Sequence, residues 1–169
     1  MEITYELEKE DYILFNLYHI EHSPSQKKLL FMMRIVLPIV FAIPIYILGT
    51  SIFNQPGIYW IIVSLLFVVG WMIYYPKEQK RSVRKQTEKL LNEGDNTSLF
   101  GKKKLVVDEF SITITGGHST EVITVDTIQS VKVYDEMILL YNSSISAHII
   151  PTRFMDGETK KTLLAFFNK

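Results

Sequence analysis

The chain has 169 residues, with 18 Lys and Arg against 18 Asp and Glu, so its formal net charge is zero. It has no cysteine, which excludes disulfide frameworks, thiolate metal sites and cysteine nucleophiles. The neutral total hides a segregated layout: residues 35–75 carry no charged side chain, while residues 76–104 are rich in Lys and Arg.

At the N-terminus, Ile3, Tyr5 and Leu7 alternate with Thr4 and Glu6, the period of a half-buried strand. A helix from Lys9 to Glu21 would carry Tyr12, Ile13, Phe15, Leu17 and Ile20. Residues 1–28 are thus read as a cytoplasmic strand and amphipathic helix. The strand is a candidate to join the sheet expected much later in the chain.

Residues 29–75 are read as a transmembrane helical hairpin, with helices over 29–53 and 58–75. The first run has Arg34 as its only charge; the second has none. Eighteen residues at 1.5 Å each reach about 27 Å, close to the hydrocarbon thickness of a bilayer. A buried helix of a soluble protein rarely runs so far without a polar stripe. Between the runs lies "SIFNQPGIYW", where Asn54, Gln55, Pro56 and Gly57 make a strong helix break. Tyr59 and Trp60 at one end of the second run, and Trp71, Tyr74 and Tyr75 at the other, suit the two interfaces. Pro38 and Pro44 are tolerable in such a helix where the carbonyls they free find partners. Gly70 is the position considered for close helix packing.

Charge gives the expected orientation. Lys27, Lys28 and Arg34 flank the first helix and a longer basic run follows the second, but the tip has none, so both termini are expected in the cytoplasm. The apolar run starts behind an acidic, aromatic segment and lacks a small-residue cleavage site, so no cleaved signal peptide is expected.

Residues 76–94 read as a basic stalk helix closing at Gly94. Lys77, Lys80, Arg81, Arg84 and Lys85 share one helical face and are candidates for anionic lipid headgroups at the inner leaflet. A solvated flank of the positive-inside kind is the plainer reading. Without interleaved aromatics, nucleic acid is not an expected partner.

From residue 95 the period changes. Val, Ile and Thr dominate, and strands are expected near 102–107, 110–115, 120–125, 128–134, 137–142 and 145–150, with Gly116-Gly117, Asp135-Glu136 and Asn142-Ser143-Ser144 as turns. Asp156 caps a final helix whose apolar face carries Leu163, Leu164, Phe166 and Phe167.

The order of elements, with "EDYILFNLYH" near the start, "VITVDTIQSVKVYDEMILLY", and "IPTRFMDGE" before the last helix, resembles the YcxB-like family of bacterial membrane proteins. The resemblance implies a PH-like C-terminal domain and, by analogy, binding or scaffolding more than catalysis. The expected fold class is therefore an α+β membrane protein: a two-helix transmembrane hairpin plus a cytoplasmic β-rich PH-like domain, residues 95–169, ending in a helix.

Little in the chain suggests chemistry. His19 and His22 lie three apart on a helix but have no third ligand aimed at them; His118 falls in the Gly-Gly turn and His148 on a strand. No HExxH, GxSxG, P-loop or GxGxxG motif is present. Asp108-Glu109 and Asp135-Glu136 read as turn carboxylates, and Arg153 as a structural ion pair before a phosphate or partner contact. No ionisable group sits at mid-depth of the apolar runs, where transport needs one.

The expectation is a non-enzymatic, multi-pass module of the bacterial cell membrane, without cofactor or metal, that binds an unknown protein partner or itself. Ile150, Pro151, Arg153 and Phe154 are the candidate contact residues. The alternatives are a bacteriocin or toxin immunity protein and an anionic-lipid-sensing regulator.

Overall fold

The computed structural model describes residues 1–53, 55–117 and 119–167. The chain forms two compact units, one of Met1–Asn16 with Thr87–Lys169 and one of Leu17–Gln86.

The first unit is β-rich. Strands β1 (Glu2–Leu7), β2 (Gly101–Val107), β3 (Ser111–Gly116) and β4 (Ser119–Thr124) form one antiparallel sheet in that order. Strands β5 (Ser130–Val133), β6 (Met137–Tyr141) and β7 (Ala147–Pro151) form a second. The alternation of Ile3, Tyr5 and Leu7 puts all three on the buried face, and register sets Ile3 opposite Leu105 and Leu105 opposite Ile114. The N-terminal strand thus completes the sheet begun 94 positions later, Leu7 facing Gly101. Strand β6, "MILLY", is buried at every residue, so its apolar run does not alternate.

A last helix, α5 (Gly157–Phe167), follows β7 and buries Leu163 completely. Its cap is the one expected: Asp156 Oδ1 accepts the Thr159 N–H at 2.7 Å, and this bond with the Thr159 side chain holds the Asp156 carboxyl below its ordinary range. The expected turn at Ser143 is also fixed locally, Ser143 Oγ accepting the Ser146 N–H at 3.0 Å. His118 of the expected Gly-Gly turn lies outside the described residues; Gly117 has φ +56°, the left-handed conformation that glycine adopts cheaply.

Helix α1 (Lys9–His22) leaves the first unit and enters the second. The expected first apolar helix starts earlier than Leu29: α2 (Pro24–Phe31) begins with Pro at its first position, passes through a π-helical turn at Met32–Val36 and continues as α3 (Leu37–Ile52). After a loop in which Asn54 lies outside the described residues, α4 runs from Gly57 to Asn92. Both apolar helical runs are long and apolar enough to cross a membrane, by length and composition.

No helix boundary falls at residue 76: α4 passes through Pro76 unbroken. A proline cannot donate to the carbonyl four residues back, here that of Met72. That carbonyl instead accepts the Arg34 Nε–H at 3.2 Å from the other helix. The π turn has a matching cause. The Leu37 N–H bonds Met32 O, five residues back, which leaves Met33 O to pair with position 38, a proline without an N–H. The indole N–H of Trp71 donates to Met33 O at 3.0 Å. Each helix therefore supplies the donor that a proline removed from the other. Deeper in the hairpin, Ser64 Oγ donates to Ala42 O at 3.3 Å.

Close packing in the hairpin falls on Gly49, not Gly70. A Cβ on Gly49 would lie 2.1 Å from the Trp60 ring, whereas one on Gly70 would meet nothing within 4 Å. After Asn92, Gly94 takes φ +79° and Asn96 Nδ2 donates to Glu93 O at 2.9 Å, closing the helix where the breaker residues indicate.

Candidate functional site

Four places combine charge with position. The first is the basic face of α4. Lys77, Lys80, Arg81 and Lys85 are exposed and Arg84 is half-buried. Lys80 is tied to Glu21 at 2.6 Å, and Arg81 lies 3.7 Å from Glu78 one turn back. Among the described residues, Lys77 and Lys85 have no carboxylate within ion-pairing distance. The five therefore do not act alike: two are open to an outside anion and two already lean on a neighbour. Such exposed pairs are worth only about 0–1 kcal/mol, so a phosphate could displace them.

The second is Arg153, at the 3-10 turn Thr152–Phe154 after β7. Its Nη1 and Nη2 meet Oδ1 and Oδ2 of Asp11 at 2.5 and 2.9 Å, and Nη2 also donates to Glu6 O at 3.0 Å. Glu8 adds a carboxylate at 3.4 Å, and the guanidinium lies 4.9 Å from the centroid of the Phe154 ring. Asp11 is 2% exposed, and its Oδ2 also accepts the Glu8 N–H at 2.8 Å, the backward half of a capping box at the start of α1. The hydrogen bonds that Arg153 donates to Asp11 hold the Arg153 pKa above its ordinary value.

This arrangement corrects the expected contact segment. Ile150 and Pro151 are fully buried in β7 because the register places Ile150 opposite Ile138 and Pro151 opposite Met137, in the core. Arg153 is occupied by Asp11. Phe154, 41% exposed, keeps an open face, and Arg153, though tied to Asp11, has a side chain that is also 41% exposed. Asp11 was not anticipated, although its spacing from Glu8 is that of a capping box.

The third place lies between the two sheets. His148 Nε2 on β7 sits 3.6 Å from Glu121 Oε1 on β4, too long for a hydrogen bond, and is buried without one. Burial lowers the His148 pKa, Glu121 opposes that shift, and Lys103 on β2 adds to it. Burial likewise lowers Lys103 and raises Tyr5 well above the usual phenol range.

The fourth is a cleft of about 810 Å³ between the β2–β3 turn and α5. Val107, Phe110, Val125, Ala165 and Phe166 make it apolar. Asp108, Glu109 and Asp126 add three carboxylates; Met1 also lines the cleft, and among the described residues no Lys or Arg does. Phe110 is 79% exposed, an aromatic presented to an outside surface. The carboxylate pair Asp108-Glu109, read from sequence as a solvated turn, is therefore also one wall of this cleft.

His22 Nδ1 lies 2.9 Å from its own helix at Tyr18 O, and no group of three potential metal ligands gathers among the described residues.

No curated protein and no solved structure matches the chain. The model of the family described as YcxB-like protein matches residues 107–167, from the last residue of β2 through α5, and so takes in β3 to β7, the cleft and Arg153. From the end of its second strand to its last helix, the chain is similar to the YcxB-like family.

Proposed function

We propose that this chain is a non-enzymatic, membrane-anchored module. The α2–α4 hairpin crosses the bilayer twice, both termini lie in the cytoplasm, and the β-rich unit, a PH-like arrangement of seven strands and a closing helix that contains the YcxB-like stretch, binds a protein partner near the membrane. The observation that carries the anchoring is the outer surface of the hairpin. Ile39, Val40, Phe41, Ile43, Ile47 and Leu48 on one helix, and Ile61, Ile62, Leu65, Leu66, Val69 and Ile73 on the other, are all exposed, while Ser64 and the orphaned carbonyls turn inward to partners. Each such side chain gains about 1.5–3 kcal/mol on leaving water completely. A lipid environment removes that liability, and it also demands the internal pairing of backbone groups seen here.

The contact surface is the cleft at Phe110, in place of the buried Ile150–Pro151 segment. Its apolar floor and three carboxylates fit a basic, apolar segment of a partner. Tethering at the membrane raises effective concentration, so modest affinity suffices.

The cysteine-free chain allows a direct test. A membrane-impermeant maleimide should label Ser51→Cys in intact cells and Ser82→Cys only after permeabilisation, with the protein resisting carbonate extraction. Extraction into the soluble fraction, or the reverse labelling, sinks the anchoring. A photo-crosslinker at Phe110 should capture a discrete protein band that Asp108→Lys/Glu109→Lys abolishes; no band, or one indifferent to charge reversal, removes the partner reading. A lipid-sensing role is the second reading, favoured by Lys77 and Lys85, which have no ion-pair partner among the described residues.

A further inference from the structure

Arg34 is the only charged residue between Leu29 and Tyr75, and it lies exposed on the helical surface. Its Nε–H is fixed on Met72 O at 3.2 Å, and that carbonyl is available because Pro76 has no N–H to give it. Among the described residues, Nη1 and Nη2 have no partner, so the flat outer edge of the guanidinium keeps four N–H donors that none of those residues engages. An arginine held this way, with no carboxylate at hand and apolar side chains around it, is a fork awaiting an acceptor. Lys77 follows Met72 by five residues, about 7.5 Å along α4, and is exposed; Lys28 precedes Arg34 in the same helical run and is exposed too.

We infer that Arg34 is a binding site for the phosphodiester of an anionic phospholipid, oriented by the Met72 carbonyl, with Lys28 and Lys77 adding preference for a net negative headgroup. The inference rests on the reading that the hairpin spans a bilayer. Two parallel N–H···O bonds from a planar guanidinium match a phosphate better than a lysine ammonium does, so the site depends on geometry as well as charge. The π-helical turn at Met32–Val36 belongs to the same device: it sets the local backbone of Arg34, and Trp71 secures the carbonyl that the turn leaves open. Arg34 is therefore a bracket whose inner edge is bolted to the neighbouring helix and whose outer edge is presented to lipid.

The full chain, purified in detergent, is titrated with phosphatidylglycerol or phosphatidylcholine, and bound lipid is counted by native mass spectrometry. Wild type should retain phosphatidylglycerol. Arg34→Leu should lower its apparent affinity about tenfold or more, and Arg34→Lys should fall between. Pro76→Ala restores the donor to Met72 O while leaving Arg34 in place, and should weaken retention severalfold; it carries the test if Arg34→Leu cannot be recovered folded. Unchanged retention in Arg34→Leu and Pro76→Ala overturns the inference. Displacement of lipid by inorganic phosphate at matched concentration overturns it in favour of a free-anion site. Carbonate extraction separates the two levels: a wild-type protein that washes off membranes fails the anchoring reading, whereas an anchored protein with Arg34-independent lipid binding fails this inference only.

Discussion

Asp11 and Arg153 are 142 residues apart in sequence and meet through two hydrogen bonds, one carboxylate on one guanidinium. They are unequal partners. The Asp11 side chain is 3% exposed and the Arg153 side chain 41%. Removing the arginine strands a buried carboxylate, whereas removing the aspartate leaves a cation that water can reach. Arg153→Ala should therefore destabilise the β-rich unit by about 2–4 kcal/mol, and Asp11→Asn by less. Urea midpoints of the two variants check this; a larger loss from Asp11→Asn would mean that the pair is not the buried anchor it looks.

The same unit should not survive without its first strand. A fragment of residues 95–169 lacks Ile3, Tyr5 and Leu7, and leaves Leu105 on an uncovered edge strand. It should show no cooperative unfolding transition, and a peptide of residues 1–16 added in trans should restore one. In the full chain, Ile3→Asp puts an unpaired carboxylate opposite Leu105 and should cost roughly 3 kcal/mol or more.

Stability should fall on mild acidification because of His148. Its folded-state pKa lies below its ordinary value of 6.5, burial outweighing the pull of Glu121. The unfolded chain then binds the proton more readily, so the histidine's contribution is intact above about pH 6.5 and is lost as pH falls below that towards the folded value. His148→Gln should flatten the urea midpoint between about pH 5 and 7. A midpoint that rises on acidification would show that the ion pair with Glu121 dominates instead.

Gly49 should be intolerant where Gly70 is permissive. Gly49→Ala forces the stiff Trp60 ring aside and should cost about 1–3 kcal/mol in detergent. Gly70→Ala meets open space and should change the melting temperature little. Trp60→Leu should recover part of the Gly49→Ala loss if ring contact is the cause.

Local chemistry was readable from the sequence, and so was the pairing of the first strand with the later sheet; contacts between distant side chains were not. Strands such as β1 and β3 followed from period-two patterning, and the Asp156 cap and the Gly94 helix end from residue type. The hairpin glycine was misplaced because crowding at Gly49 comes from a ring on another helix. The continuity of α4 through Pro76 was missed because the donor that compensates sits on Arg34. Ile150 and Pro151 looked available because only register reveals that Ile138 and Met137 cover them. Lys80 and Lys77 are alike on a helical wheel, yet Glu21 engages one of them.

The first sheet holds one further consequence. β1 is made before the helical hairpin, and its sheet neighbour β2 only after it. During synthesis, Ile3, Tyr5 and Leu7 must wait, unpaired, until every residue of α2 to α4 has left the ribosome. Completion of the sheet is thus a record that the hairpin has been made. A chain truncated anywhere before Gly101 leaves β1 as an apolar strand without its sheet neighbour, an edge prone to pairing with other chains.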